Sequence, residues 1–428
     1  MQSVRKPEYA IIGGGITGLT LAIALHYRGL HVKSYEQAKQ YGDIGAGVSF
    51  TPNAVQAMRL CHPAIDTAFE KVCTHNRWAS KRQVWFDFYN GQNRGSERTP
   101  LFTVTNSLGQ NGVHRADFLD QLAKLLPSHL SSFGKTLQSY EMESTGRYSL
   151  ALADGSSAST DVILACDGIK SRVRQLMFGE DQPCASPSFS FKHAFRALIS
   201  TKDAIAVLGE EKAQNACMYM GHGGHVLTFP IDHGNLLNIV AFHTTKEPWE
   251  NCNQMTAPST REEMLRTFTH FGSEVLNLLG LASPQLDIWA IFDLGDNPPP
   301  SFSTGRVCLL GDAAHAASPH QGAGAGFCIE DAAVLSCLLS NELTTSPAIA
   351  EIALQVFDAT RRQRGAWLVQ SSRYIGNAYE WLIPEIGTDF GKIEEEIRRR
   401  NAVITDVDVE AMCNEAQLKF SKRCEMII

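Results

Sequence analysis

The sequence predicts an α/β chain of more than one domain, with a parallel-sheet unit first, a stretch of antiparallel β character in the middle and a helical end. Three observations predict this. At 428 residues the chain is longer than one compact core usually allows. It opens with a short apolar run, three glycines, a helical pattern and a second short strand. Two further apolar runs, near residues 163 and 308, each end in an aspartate beside a glycine.

The first unit is "YAIIGGGITGLTLAIALHYRGLHVKSYE", Tyr9 to Glu36. "YAII" reads as a buried strand, "LTLAIALHYRG" as a helix closed by Gly29, and "HVKSYE" as a second strand. Arg5 and Lys6 before an apolar stretch also suit a secretion signal, but the glycines interrupt the apolar segment such a signal needs, and a membrane helix would be longer. Gly13, Gly15 and Gly18 match G-x-G-x-x-G. Gly13 permits the tight turn, Gly15 lets the backbone approach a pyrophosphate, and Gly18 lets helix and strand pack closely. Glu36 lies 18 residues after Gly18, placed to accept from ribose hydroxyls. The unit is therefore expected to be Rossmann-like and to bind a dinucleotide.

"DVILACDGIKSRVR" (Asp161 to Arg174) reads as a buried strand, the turn Asp167-Gly168, and a basic helix start with Ser171, Arg172 and Arg174. "GRVCLLGDAAHAASPHQGAGAGFCIEDAAVLSCLL" (Gly305 to Leu339) reads as a strand delivering Asp312, a proline- and glycine-rich turn over Pro319 to Gly326, and a helix. Asp312 can accept from a sugar-alcohol hydroxyl. The turn can set backbone N–H groups against a flat ring system. "DNPPPSFSTG" (Asp296 to Gly305) punctuates the chain before that strand.

Composition excludes several classes. Net charge is −7 and the pI about 6.1, which leaves no basic face for nucleic acid. The 11 cysteines show no C-x-x-C pair, so reduced thiols and no metal are expected. There is no N-x-S/T acceptor and no apolar run of membrane length, so a cytoplasmic protein without a membrane span is expected.

Together the three segments resemble the FAD-dependent aromatic hydroxylases, the single-component flavoprotein monooxygenases, and among them the salicylate-hydroxylase-like branch with its fungal polyketide-phenol hydroxylases and dearomatising enzymes. "GDIGAGVSFTPNAVQAM" (Gly42 to Met58) and "VHRADFLDQL" (Val113 to Leu122) also look like family segments. The resemblance implies FAD as cofactor, O2 as co-substrate, and NADPH or NADH as a transient reductant without a domain of its own. It implies a small phenolic substrate, bound as phenolate and hydroxylated by the flavin hydroperoxide. Dearomatisation, epoxidation, oxidation without oxygen insertion and non-catalytic flavin binding are the alternatives.

The resemblance also assigns roles. Glu36 would bind the adenosine ribose, and Gly47 and Ser49 would line the flavin side. Arg115 would contact the phosphate or ribityl region, Asp167 and Gly168 would bridge FAD and the nicotinamide, and Asp312 would hold the ribityl chain. Pro319, Gly322, Gly324 and Ala325 would face the isoalloxazine. His315 is expected to orient a loop, and His320 is less constrained. In the middle region, "FKHAFRALIS" and "HVLTFPIDHGNLLNIVAFH" read as strands of a sheet that roofs the flavin. Arg196 would clamp the phenolate. Phe229 stands where some fungal relatives carry a tyrosine, so its missing hydroxyl leaves the substrate pose open, and Tyr219 or His225 could supply a polar contact.

The expected organisation is a discontinuous FAD domain over 1–75, 105–182 and 290–365, a substrate domain over 76–104 and 183–289, and a helical C-terminal region over 366–428. "KIEEEIRRRN" carries the i,i+4 pair Glu394 and Arg398. Oligomeric state is left open.

Overall fold

The computed structural model describes residues 5–42, 47–93, 99–252 and 254–426. Residues 43–46, part of the Gly42–Met58 segment, lie outside the described residues.

The predicted strands meet in one six-stranded sheet. Its order is Ser303–Thr304, Val307–Leu309, Val162–Ala165, Glu8–Ile12, His31–Glu36, Ser131–Phe133, and every pair is parallel except the first. A parallel sheet is covered on both faces, so its strands carry unbroken apolar runs rather than alternation; Val162–Ala165 and Val307–Leu309 are buried throughout. The register sets Tyr9 opposite Val162 and Ile163 opposite Val307. Strands some 150 residues apart in sequence therefore end together, at Gly13, Asp167 and Asp312. From Glu8–Ile12 the sheet continues to His31–Glu36 on one side and Val162–Ala165 on the other, and a crevice opens where the order diverges.

The helix Ile16–Tyr27 is buried at every position from Ile16 to Leu25. It is apolar all round because the sheet covers one side and the helix Gly324–Leu339 packs against it. It ends as expected: Gly29 takes φ +74°, and the N–H groups of Gly29 and Leu30 return to His26 and Leu25 carbonyls.

The middle of the chain forms an eight-stranded sheet. The order is Thr256–Thr260, Gln285–Asp293, Ser188–Ser200, Leu236–Thr244, Gly224–Ile231, Cys217–Gly221, Val84–Asn90, Phe102–Thr105. It is antiparallel but for one pair, Cys217–Gly221 with Val84–Asn90. Side chains alternate between two cores. Phe195, Tyr219, Val226 and Ile239 pack under the helices that hold Leu208, Met264 and Leu278. Ala194, Met218, Leu227, Phe229, Val240 and Phe242 face the other way, toward Ile375, Tyr379 and Ile393. A small sheet of Gly47–Ser49, Asn111–His114 and Thr74–His75 lies beside that second face.

The C-terminal region is three helices, Pro347–Tyr379, Phe390–Thr405 and Val409–Glu425. The expected boundary at 365 falls inside the first of these. Its Ala353, Leu354 and Phe357 join the core of the parallel sheet, while its Ile375 and Tyr379 join the core of the second sheet. The last helix folds back, burying Val409, Cys413, Ala416, Phe420 and Cys424 in the first core. Glu394 and Arg398 pair at 2.7 Å on an exposed face. Among the described residues, no helix is long and apolar enough to cross a membrane.

Candidate cofactor and substrate site

The glycine turn is built as its spacing suggested. Gly13 takes φ +100°, and a Cβ there would sit 2.3 Å from the Cys166 carbonyl oxygen. A Cβ on Gly18 would lie 1.9 Å from the Gly13 carbonyl oxygen, so only glycine lets helix meet strand here. Gly15 differs: a Cβ on it would meet no atom within 4 Å. Its space is the crevice, a cleft of about 460 Å³ lined by Gly13, Gly15, Glu36, Arg115, Asp167 and Arg172 among others. Glu36 does more than wait for a sugar. Its carboxylate accepts from the Gly14 and Ala38 N–H groups at 2.5 and 2.7 Å, which fixes the turn against the second strand.

At the second strand end, both oxygens of Asp167 are engaged inside the turn. They accept from the Ser171 hydroxyl at 2.6 Å and the Val173 N–H at 3.0 Å, at the start of the helix Arg172–Phe178. Burial raises the Asp167 carboxyl above its ordinary range, against those hydrogen bonds. Any bridging between ligands therefore falls to the backbone of Asp167 and Gly168, the latter at φ +78°. Arg174, read from sequence as part of a basic helix start, is fully buried. It donates to the carbonyls of Ile169, Ala313 and Ala185 at 2.6, 2.8 and 3.2 Å, tying this turn to the third strand end. Burial lowers the guanidinium to about 10, so it stays a cation.

At that third end, Gly311 takes φ +58°, where a Cβ would lie 2.4 Å from Thr17 Oγ1. Asp312 follows it, exposed, opening the short helix Asp312–His315. The turn Pro319–Gln321 comes next, with Pro319 and Gly322 exposed and Gly324 and Ala325 half-buried at the start of the helix Gly324–Leu339. A Cβ on Gly322 would lie 3.6 Å from Ser49 Oγ, so Ser49 and this turn border one space.

His315 is buried with Nε2 2.6 Å from Asp331 Oδ2, and the same oxygen accepts from the Gly311 N–H at 2.9 Å. Arg361 holds Asp331 through Nε at 2.7 Å and Glu330 through Nη1 at 2.6 Å; Arg364 also reaches Glu330, at 2.8 Å. Burial alone would raise Asp331, but His315 and Arg361 hold it down to about 2. Sequence reasoning did not pair these groups. The signal available was two acids, Glu330-Asp331, inside an otherwise apolar helix.

The second sheet carries the residues expected to meet the substrate. Its register places Arg196 opposite Val240, Leu227 opposite Val240, and Phe229 opposite Asn238, all on one face. Arg196 lies 4.4 Å over the Trp289 ring, and its Nε is buried without a hydrogen-bond partner. Among the described residues no carboxylate pairs with it. Burial, and after it the charge of Arg115, lowers its guanidinium to about 10, so it remains a cation. Phe229 packs against the small sheet: Cβ atoms on Gly47 and Gly112 would come within 2.9 and 2.8 Å of its ring. The Asn238 carboxamide lies 3.4 Å from the Gly47 N–H.

The structure does not bring the two guessed polar contacts to this space. Tyr219 points to the opposite core, stacked on Tyr89 at 5.5 Å, because odd-numbered residues of its strand face away from Arg196. His225 shares the face of Arg196 but is wholly buried behind the Pro319 turn, against Phe242 and His320.

A crevice at a divergence of strand order and a glycine turn with room over Gly15 define a dinucleotide-binding fold, with an antiparallel sheet beside it. The cradle over Gly15, the exposed Asp312 and the open turn at Gly322 fit a flavin dinucleotide. The comparisons agree. The FAD binding domain family matches residues 132–372. An FAD-dependent monooxygenase of Aspergillus niger is 43% identical, over 97% of each chain. One from Monascus ruber is 42% identical over 99% of this chain and all of its own. A salicylate hydroxylase–substrate complex superposes with TM-score 0.86 and 34% identity over 97% of this chain and 98% of the other. The chain belongs to the FAD-dependent monooxygenases, in the fold of salicylate hydroxylase. It is an FAD enzyme that consumes O2.

Proposed function

We propose that the enzyme hydroxylates a small phenolic compound, with NADPH or NADH as transient reductant, in secondary polyketide metabolism. The observation that carries this is Arg196, a half-buried cation whose Nε is buried without a partner and which pairs with no carboxylate among the described residues. A partly desolvated charge without a counter-ion is costly, so the site suits an anion that arrives with the ligand. A phenolate supplies that anion and is the more electron-rich form of the ring.

FAD, when bound, supplies oxygen activation. Gly13, Gly15 and the first helix would hold its pyrophosphate, Glu36 its adenosine ribose, Arg115 its phosphate or ribityl region, Asp312 its ribityl chain, and the turn from Pro319 to Ala325 its ring. The protein's own contributions are positional. Arg196 fixes the phenolate oxygen by charge and hydrogen bonding. Leu227, Phe229 and Trp289 offer apolar surface that excludes water. Phe229 offers no hydroxyl, so the ring is oriented by shape and by Arg196. Salicylate, for which the similar hydroxylase is named, is itself a phenol.

The test is turnover of a panel of phenols, following NAD(P)H consumption and product mass. Products one oxygen heavier support the reading; reductant consumption with unchanged mass throughout the panel rejects it. Arg196→Ala should lower kcat/KM by about 10²-fold or more, the scale of removing one oxyanion donor, with flavin content unchanged. A variant that turns phenols over normally takes Arg196 out of the site.

A further inference from the structure

A second set of chemically active side chains gathers where the helix Pro63–Glu70 runs into the short strand Thr74–His75. Glu70, Cys73 and His75 follow one another as E-x-x-C-x-H. The Cys73 N–H donates to the Phe69 carbonyl at 3.0 Å, which closes the helix. His75 pairs with Asn111 at the edge of the small sheet. The connection is therefore short and fixed at both ends, and it turns the three side chains toward one point. Cys73 Sγ lies 3.4 Å from His75 Nε2 and 3.7 Å from Glu70 Oε2, and those two atoms are 4.0 Å apart.

A tetrahedral Zn2+ ion, with bonds of about 2.3 Å to sulfur and about 2.1 Å to nitrogen and oxygen, sets its donor atoms about 3.3–3.6 Å apart. The two separations that involve the sulfur lie in or next to that range. The longest runs to Glu70, whose exposed side chain can close it. Thiolate, imidazole and carboxylate together select a thiophilic ion over Mg2+ or Ca2+, which want oxygen donors. The thiolate and carboxylate charges neutralise one divalent ion. Entry is open: a cavity of about 290 Å³ is lined by Cys73 and His75, with Arg77, Arg82 and His233 around it. The two arginines disfavour a second cation there. This cavity shares no lining residue with the crevice over Gly15.

We propose that Glu70, Cys73 and His75 form a Zn2+ site with three protein ligands, the fourth position facing the cavity. Without the ion, burial and the Glu70 charge push the Cys73 thiol up to about 12, so it is protonated. On binding, the Cys73 S–H bond breaks, its proton passes to solvent and a Zn–S bond forms; no electron moves. His75 binds through Nε2 and Glu70 through Oε2. The ion ties the end of the helix to the edge strand of the sheet that carries Gly47 and Ser49. The sequence expectation of no metal rested on the missing C-x-x-C pair, and a site with a single cysteine does not show that spacing.

The experiment strips the full-length, flavin-loaded enzyme with a chelator and titrates it with Co2+, then displaces the Co2+ with Zn2+. One Co2+ per chain should bind, with tetrahedral d–d absorption to the red of the flavin bands, and Zn2+ should replace it at a Kd below about 1 μM. Glu70→Gln and His75→Gln should each weaken binding by more than about tenfold, the least that loss of even an outer partner costs. Cys73→Ser should abolish the tetrahedral spectrum, whereas Cys252→Ser, which removes an exposed thiol elsewhere, should leave it unchanged. Flavin content should be the same in all four variants. No stoichiometric binding overturns the proposal. So does binding that survives Cys73→Ser or is lost in Cys252→Ser, the mark of an adventitious ion only. If Cys73→Ser does not fold, the two substitutions to glutamine decide: unchanged affinity in both rejects the site.

Discussion

At the scale of single residues, Gly15 and Gly18 belong to one motif and do different work. A Cβ on Gly18 would overlap the Gly13 carbonyl, whereas one on Gly15 would enter only the cleft. Gly18→Ala should therefore destabilise the apoprotein by about 1–3 kcal/mol, read as a lower urea midpoint. Gly15→Ala should leave that midpoint alone and weaken FAD binding. A lost charge-assisted hydrogen bond of about 1.5–3 kcal/mol is about 10–100-fold in affinity, measurable by flavin fluorescence titration. Equal effects of the two variants on the apoprotein would show that the cleft is not where the dinucleotide lies. Both roles were legible in the sequence because each follows from local backbone geometry. The Arg174 clamp was not: its acceptors are carbonyls of Ile169, Ala185 and Ala313, two of them outside the segment in which it was read.

At the scale of elements, the helix Gly324–Leu339 was readable as a helix but not as the holder of a buried ionic cluster. Glu330 and Asp331 acquire their partners from Arg361 and Arg364 on the following helix, and Asn53 adds a hydrogen bond to Glu330 at 2.6 Å. Arg361→Met would leave two carboxylates short of a cation in the core, at a cost of about 3–5 kcal/mol in denaturant unfolding. The same cluster predicts a pH dependence. Asp331 is held down to about 2, below its unfolded value near 3.9. Its stabilisation is therefore complete above about pH 4 and lost as the pH falls toward 2, amounting to about 2 kcal/mol. Urea midpoints that stay flat over that interval, other groups being equal, would contradict the pairing. The second sheet gives the complementary case. Alternation along Cys217–Gly221 separates Met218 and Met220 from Tyr219. Which set faces Arg196 depends on how the sheet seats against its neighbours.

At the scale of the whole molecule, the chain end is part of the machinery. The helix Pro347–Tyr379 runs through both cores, and Val409–Glu425 closes the first of them. A chain stopped after residue 407 would uncover the surface that Phe420, Cys413 and Cys424 cover on the flavin domain. It should be recovered colourless or aggregated, as judged by absorbance and sedimentation; a stable yellow product would refute the assignment of that helix to the core. A tail read as a separate helical region is thus an integral layer, because amphipathic periodicity tells which face is buried and not against what.

By itself the sequence determined the pieces that local physics governs: the glycine turn, the strand ends at Asp167 and Asp312, the first helix with its closure at Gly29, and the strands that bear Arg196 and Phe229. Those pieces carry the family resemblance, and it was the resemblance that pointed to the flavin and its chemistry. The tertiary structure alone decided that Tyr219 faces away, that Glu330 and Asp331 are neutralised from another helix, and that Lys192, Glu380 and His225 meet. The reason is range. Backbone preference acts over a few residues, but a buried charge is tolerable only where packing delivers its partner, and for Lys192 that partner stands 188 positions along the chain.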